Sequence, residues 1–195
     1  SKPISIVGAG NVAVRLAFAF KNSNVHISHI ANRTTETVKD LAESVGADVC
    51  EIEELPIDQI TILCVSDDAI PSVLKKINHT TPVAYTSGSV SLETLSKRNH
   101  LGVFYPLQTL TKEKEMTLTH VPFFIEANSE EYCNKLIRLA RKVSSNVFIA
   151  TSEERAKLHL VAVFVNNFVN HILHHAKWYA DENGVEFEQL MPMIY

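Results

Sequence analysis

The stretch ISIVGAGNVAVR, residues 4–15, decides the fold. It passes from a short apolar run into Gly8-x-Gly10-x-x-Ala13 and then into an amphipathic pattern. A strand, a tight glycine turn and a helix in that order bring the helix N-terminus against a pyrophosphate. Gly8 permits the turn, Gly10 leaves room for phosphates to approach the backbone, and Ala13 lets helix and strand pack closely. The amides at Asn11, Val12 and Ala13, at the positive end of the helix dipole, then attract the anion. A scaffold of the same shape with an empty site is the alternative.

The end of the second strand selects the dinucleotide. That strand is expected at Val25–Ala31 and runs into Asn32-Arg33-Thr34-Thr35. An NAD enzyme places a carboxylate near here for the ribose hydroxyls, and that charge would repel a 2′-phosphate. Here the tip offers an amide, a guanidinium and two hydroxyls. Arg33 can pair with a phosphate dianion through two charge-assisted hydrogen bonds. Thr34 or Thr35 can cap the following helix and donate to the same phosphate. The reading therefore favours NADP over NAD, against the plainer one of a solvated arginine beside a cap.

Outward from this unit, strand and helix patterns alternate, which argues for a doubly wound, mostly parallel α/β sheet. A helix is expected over Thr35–Val45, with Val38, Leu41, Ala42 and Val45 on one face and Gly46 ending it. Strands follow at Ala47–Cys50, Ile60–Val65, Pro82–Thr86, Leu101–Phe104, Val121–Ala127 and Val147–Ala150. Helical patterns lie after Ser66-Asp67-Asp68 and over Glu130–Val143, and the polar stretch Lys112–His120 reads as a loop. These elements make one nucleotide-binding domain, 1–151.

Ser152-Glu153-Glu154 is an N-cap signal, and the chain then runs to about Asn183 without proline or glycine. A helix of that extent is roughly 45 Å long at about 1.5 Å per residue. Leu158, Val161, Ala162, Val165, Phe168, Val169 and Ile172 leave little of its first half polar. It should be buried, in its own chain or against a partner subunit. Residues 152–195 read as the start of a helical domain, with Gly184 as punctuation and Glu186–Tyr195 as a second helix beginning.

At 195 residues and 46% hydrophobic composition the chain can bury a real core. A net charge of −4 without a basic stripe argues against nucleic acid as a partner. No apolar run approaches the roughly 18–20 residues of a membrane span. The first strand begins too early to leave room for a signal peptide. Cys50, Cys64 and Cys133 are widely spaced and read as reduced thiols of a cytoplasmic protein.

The combination resembles a superfamily of NADP-dependent reductases with an N-terminal Rossmann domain and a C-terminal helical dimerisation domain. Pyrroline-5-carboxylate reductases, deazaflavin-dependent NADP reductases and the 6-phosphogluconate/β-hydroxyacid dehydrogenases belong to it. Within it the chain most resembles Rossmann-like NADP oxidoreductases that carry a helical domain of unknown function. The matching segments are IVGAGNVA at 6–13, NRT at 32–34, ILCVSDDAI at 62–70, YTSGS at 85–89, GVFYPLQTL at 102–110 and KLHLVAVFVNNF at 157–168. The resemblance implies an NADP-dependent oxidoreductase, a homodimer formed through the helical domain, and more of that domain after Tyr195. The family pattern has histidine where this chain has Tyr105. If that histidine is catalytic, activity changes here; if it shapes the pocket, tyrosine can serve as a donor.

Ligands in open α/β sheets lie beyond the carboxyl ends of the strands. Val65, Ser66 and Asp67 are placed there for the cofactor's ribose and nicotinamide side, with a plain helix cap as the competing role for Ser66 and Asp67. Ser87 and Ser89 flank Gly88 and suit the approach of a substrate carboxylate or carbonyl, or form a simple turn. Gln108 joins Ser89 as a candidate substrate contact. On the long helix, His159, Val163, Asn166 and Asn170 share a face. His159 reads as a candidate proton donor, with Asn166 and Asn167 holding the substrate; a satisfied core histidine and interhelical amide bonds are the alternative. Lys157 lacks an asparagine four residues on, so it does not carry the β-hydroxyacid dehydrogenase lysine role. His171 and His175 share a face, but no third metal ligand is evident.

Function reads first as hydride transfer between NADP and a small carbonyl, hydroxyl or imine substrate. A non-catalytic NADP-binding sensor or scaffold is the competing reading, and a deazaflavin-linked reductase a third.

Overall fold

A computed structural model describes residues 2–95, 97–108, 117–190 and 192. The chain forms two compact units, Ser1–Ala156 and Lys157–Tyr195. The first unit includes the opening residues of the long helix.

In the first unit, β1 (Ile4–Val7), β2 (Ile27–Ala31), β3 (Asp48–Cys50), β4 (Ile60–Leu63), β5 (Val83–Tyr85), β6 (Leu101–Pro106), β7 (Phe123–Ala127) and β8 (Val147–Ile149) make one sheet. Its order is β3-β2-β1-β4-β5-β6-β7-β8. Neighbours are parallel up to β6; β7 runs antiparallel to β6, and β8 runs parallel to β7. After β3 the chain crosses back over β1 to lay down β4. The strand order therefore reverses at β1 and β4, which creates the crevice where such sheets bind ligands.

The central strands are buried on both faces, as parallel sheets require. On one face Ile4, Ile6, Ile62, Phe104 and Phe123 pack with two helices, α1 (Asn11–Asn22) and α4 (Glu130–Ala140). On the other, Val7, Leu63, Tyr85 and Val103 pack with α3 (Ile70–Lys76) and the turn at Ile52–Glu54. In α1 the buried residues are Ala13, Leu16, Ala17 and Phe20, a single stripe at helical spacing.

Several expected boundaries shift for identifiable reasons. The Thr35–Val45 helix divides into a 3-10 turn, Thr35–Val38, and α2, Lys39–Val45. The Thr37 hydroxyl donates to the Thr34 carbonyl at 2.6 Å and accepts from Asn32 Nδ2 at 2.7 Å. Such local bonds compete with the regular helix. Val38 and Ala42 are buried and Leu41 and Val45 half-buried, as expected, and Gly46 ends the helix at φ 75°. β6 reaches Pro106 because β7 pairs along its whole length, Tyr105 opposite Phe124 and Pro106 opposite Phe123. The loop expected at Lys112–His120 lies largely outside the described residues.

The long helix begins with α5 (Ser152–Ala162), whose cap differs from the one expected. Thr151 and Glu154 bond reciprocally, Thr151 N to the carboxylate at 2.8 Å and Glu154 N to the Thr151 hydroxyl at 3.3 Å. That is a capping box one residue before Ser152. The helical run then includes a π-helical segment, Val163–Phe168, followed by α6, Val169–Glu182. Within the second unit Asn170 donates to Asn166 at 3.0 Å, and the rings of Phe164 and Phe168 stack at 5.2 Å. The described residues leave much of this stretch uncovered. Val165, Ile172 and Tyr179 are each 66% exposed. In this unit α6 is followed by a short turn, Phe187–Leu190, and the contact between them buries Ala180 and Phe187. One turn cannot enclose so much apolar surface.

All three cysteines are thiols. Among the described residues no helix is long and apolar enough to cross a membrane, and no cluster of three metal-ligating side chains occurs.

Candidate functional site

The glycine turn sits at the reversal point of the sheet. Gly8 adopts φ 128°, and its N–H donates to the Ala31 carbonyl of β2 at 2.9 Å. Cys64 N donates to Val7 O at 2.7 Å on the other side. The turn is thus pinned to both neighbours of β1. A β-carbon on Gly8 would stand 2.2 Å from the Cys64 carbonyl oxygen, so glycine is demanded by backbone contact as well as by φ.

Gly10 is different. It has an ordinary φ of −77°, and a β-carbon there would meet nothing within 4 Å. Glycine at Gly10 keeps open the space in front of the α1 N-terminus rather than relieving contact within the protein. Among the described residues no side chain caps that terminus, and its first turn carries no acidic residue. Asn11, Val12 and Ala13 thus present their amides at the positive pole of a twelve-residue helix. Ala13 is completely buried against the sheet, the close packing expected of it.

At the tip of β2, Arg33 and Thr34 are exposed and Asn32 half-buried. Thr34 occupies the cap position of the following turn without a side-chain capping bond, contrary to the role expected of Thr34 or Thr35. Asn32 is tied to Thr37. The Glu36 carboxylate is paired with Lys39 at 2.7 Å, which holds its carboxyl below the usual range.

Beyond β4, Val65 is half-buried and Ser66 and Asp67 are exposed. Ser66 holds a cap position without a side-chain bond. Asp67 reaches across to the next strand and accepts from the Ser89 hydroxyl. The Ser87 hydroxyl is buried and accepts from Ser89 N at 3.1 Å and Val90 N at 2.9 Å. Ser87 thereby shapes the loop that presents Ser89. Tyr105, at the end of β6, is half-buried; burial, reinforced by Asp67, pushes its phenol up, while Arg155 opposes this. Gln108 follows, exposed. Asp67, Ser89 and Tyr105 thus come from the carboxyl ends of β4, β5 and β6. In the second unit, His159 and Asn166 are half-buried and Asn167 exposed on its helix.

Sequence reading missed the group that anchors this end of the sheet. Arg155 is 1% exposed, pairs with Glu126 of β7, and donates to the carbonyls of Ser87 (3.1 Å) and Val90. Ser152 donates to the same carboxylate at 2.8 Å and accepts from Leu92 N at 3.0 Å. The buried Arg155, paired with Glu126 and donating to the Ser87 and Val90 carbonyls, fixes the 87–92 loop. Its signal was a lone Glu within the apolar strand Phe-Phe-Ile-Glu-Ala, which needs a buried cation as partner.

These features define a Rossmann-like α/β unit with its binding crevice over β1 and β4. The comparisons with known proteins agree. The family described as shikimate/quinate 5-dehydrogenase matches residues 1–85, and the domain of unknown function DUF2520 matches residues 121–195. The chain is 32% identical to "putative NADP oxidoreductase BF3122 from Bacteroides fragilis", with all of this chain and 78% of that one covered at a TM-score of 0.88. It belongs to the same family as that protein. Pyrroline-5-carboxylate reductase from Streptococcus pyogenes shares the fold at 16% identity, with 98% of this chain and 74% of that one covered and a TM-score of 0.75. A reductive aminase from Aspergillus terreus, solved with NADPH and ethyl-5-oxohexanoate, does so at 15% identity, 99% and 71% coverage and a TM-score of 0.79. No curated protein matches the sequence.

Proposed function

We propose that the chain binds NADP(H) and serves as an oxidoreductase on a small carbonyl, hydroxyl or imine substrate. The observation that carries the reading is the Gly8 turn at the strand reversal, facing an uncapped α1 N-terminus with open space at Gly10. The amides of Asn11, Val12 and Ala13 would receive the pyrophosphate. Arg33, with Asn32 and Thr34 beside it, would take the 2′-phosphate. Val65, Ser66 and Asp67 would border the nicotinamide side. When bound, the cofactor would give a hydride to a carbonyl or imine, or take one from a hydroxyl-bearing carbon.

The remaining assignments concern the substrate. Ser89 and Gln108 are its proposed polar contacts and Tyr105 a proposed donor, with Ser87 holding the loop. His159 is the helical unit's candidate proton donor, and Asn166 and Asn167 its candidate substrate contacts, on residue chemistry alone. The exposed apolar surface of that unit supports association with a second copy of the chain.

One observation favours non-catalytic nucleotide binding as a second reading. Burial and the neighbouring Asp67 make the Tyr105 phenol a weaker acid than usual, hence a poorer proton donor. Calorimetric titration with NADPH and NADH, followed by turnover with a carbonyl and imine panel, tests both. Tight NADPH binding with turnover abolished by His159→Ala supports the reductase. NADPH binding without turnover supports the second reading, and no binding of either nucleotide overturns both.

A further inference from the structure

α6 carries His171, His174 and His175, all exposed, and the proposed reductase chemistry uses none of them. His171 has His174 three residues on and His175 four residues on, and either spacing brings side chains together on a helix surface.

The structure selects His175. Its Nε2 lies 3.1 Å from the Nε2 of His171, and the two rings are perpendicular with centroids 4.4 Å apart. The His174 ring stands off at 6.2 Å from that of His175. Two imidazole nitrogens at this separation match a chelate. Histidine binds zinc at about 2.0–2.1 Å, and two such bonds with nitrogens 3.1 Å apart enclose about 95–100° at the ion. That angle lies between the square-planar and tetrahedral values. Two histidines at this helical spacing are also how a helix offers a metal two ligands from one face.

Without metal the two nitrogens share one hydrogen bond, with one ring donating Nε2–H to the other. Coordination needs a lone pair on each. The donating ring therefore moves its proton from Nε2 to Nδ1 through water, and a neutral pair takes up the ion with no net loss of protons. Both residues are exposed, so the ion reaches them without rearrangement of the fold.

We propose that His171 and His175 form a two-imidazole site for a divalent transition ion of the zinc, nickel and copper class. Imidazole suits these ions, whereas magnesium and calcium demand oxygen ligands. Among the described residues no cluster of three ligating side chains occurs, so water fills the remaining positions. The bound ion ties one turn of α6 to the next, just beyond the π-helical segment Val163–Phe168. The site lies within the helical unit and needs no nucleotide, so it stands or falls separately from NADP(H) binding.

The test is calorimetric titration of the untagged whole chain with Zn²⁺, Cu²⁺ and Mg²⁺, with histidine-ring NMR during the Zn²⁺ titration. One Zn²⁺ should bind per chain, shifting the rings of His171 and His175 before those of His79 and His120. Cu²⁺ should bind at least about tenfold more tightly than Zn²⁺, and Mg²⁺ should displace neither. His171→Asn and His175→Asn should each weaken Zn²⁺ at least about tenfold, because the second bond of a chelate forms at high effective concentration. His174→Asn should leave the affinity within about twofold, since its ring is not part of the chelate. Thermal melting without metal checks that each variant is folded. Unchanged Zn²⁺ affinity in either pair variant, an equal loss in His174→Asn, or no binding at millimolar Zn²⁺ would overturn the assignment.

Discussion

Gly8 and Cys64 meet so closely that a β-carbon on Gly8 would lie 2.2 Å from the Cys64 carbonyl oxygen and 2.9 Å from its carbon. Neither backbone can yield, because each is held in the sheet by its own hydrogen bonds. Gly8→Ala combines that overlap with a φ of 128° and should cost ~3 kcal/mol or more. For a chain of this size that lowers the melting temperature by roughly 6–12 °C. Gly10→Val has space and an ordinary φ, so its melting temperature should hold while NADPH affinity falls at least about tenfold. Melting and titration of the two variants side by side separate the roles; equal losses of stability would refute the distinction.

Arg33 is exposed at the β2 tip, so its removal should leave the fold intact. Loss of two charge-assisted bonds to a 2′-phosphate amounts to ~1.5–3 kcal/mol, about 10- to 150-fold in affinity. Arg33→Ala should show that loss for NADPH and almost none for NADH. Arg33→Lys should fall between, since it keeps the charge and loses the planar fork. Parallel losses for both nucleotides would place the arginine elsewhere on the cofactor.

Most of the sheet and the Gly8 turn were legible because they rest on local pattern. Apolar runs of four to six residues, Gly8 and Gly10, and the Gly46 stop each act through their own backbone. What escaped depends on distant partners. Ser152 looked like a helix cap, yet its hydroxyl serves Glu126 and Leu92, 26 and 60 residues away in sequence. Ser87 looked equally like a substrate contact or a turn, and its bonds to Ser89 and Val90 appear only once the loop closes. The long helix reads as largely apolar over its first half, and covering that surface needs contacts that the described residues do not supply.

The Arg155–Glu126 pair should behave as a buried pair does when one partner is removed. Arg155→Met leaves a carboxylate and two carbonyls, of Ser87 and Val90, short of their donor. The expected cost is ~3 kcal/mol, the lower end of the usual range because Glu126 keeps 19% side-chain exposure. Adding Glu126→Leu should recover much of it, since an apolar pair removes the orphaned charge. Urea melts of the two singles and the double give the coupling directly. Additive losses would mean that the pair is not an energetic unit.

Cys64 gives the fold a predictable alkaline limit. Burial pushes its thiol from the ordinary 9.0 up to about 12, with a hydrogen bond involving Thr86 opposing weakly. The native state therefore holds this proton more tightly than the unfolded chain. Stability from this group is full below about pH 9 and is lost as pH rises towards 12, at ~1.4 kcal/mol per pH unit. Cys50, pushed up to about 11 by burial and then by Glu54, Glu51 and Asp48, acts in the same direction over a narrower window, weakened by its solvent exposure. Cys64→Ala should leave the neutral-pH urea midpoint slightly lower and make the decline between about pH 9 and pH 11 distinctly shallower. An unchanged slope in that variant would show that the Cys64 proton is not what the native state retains.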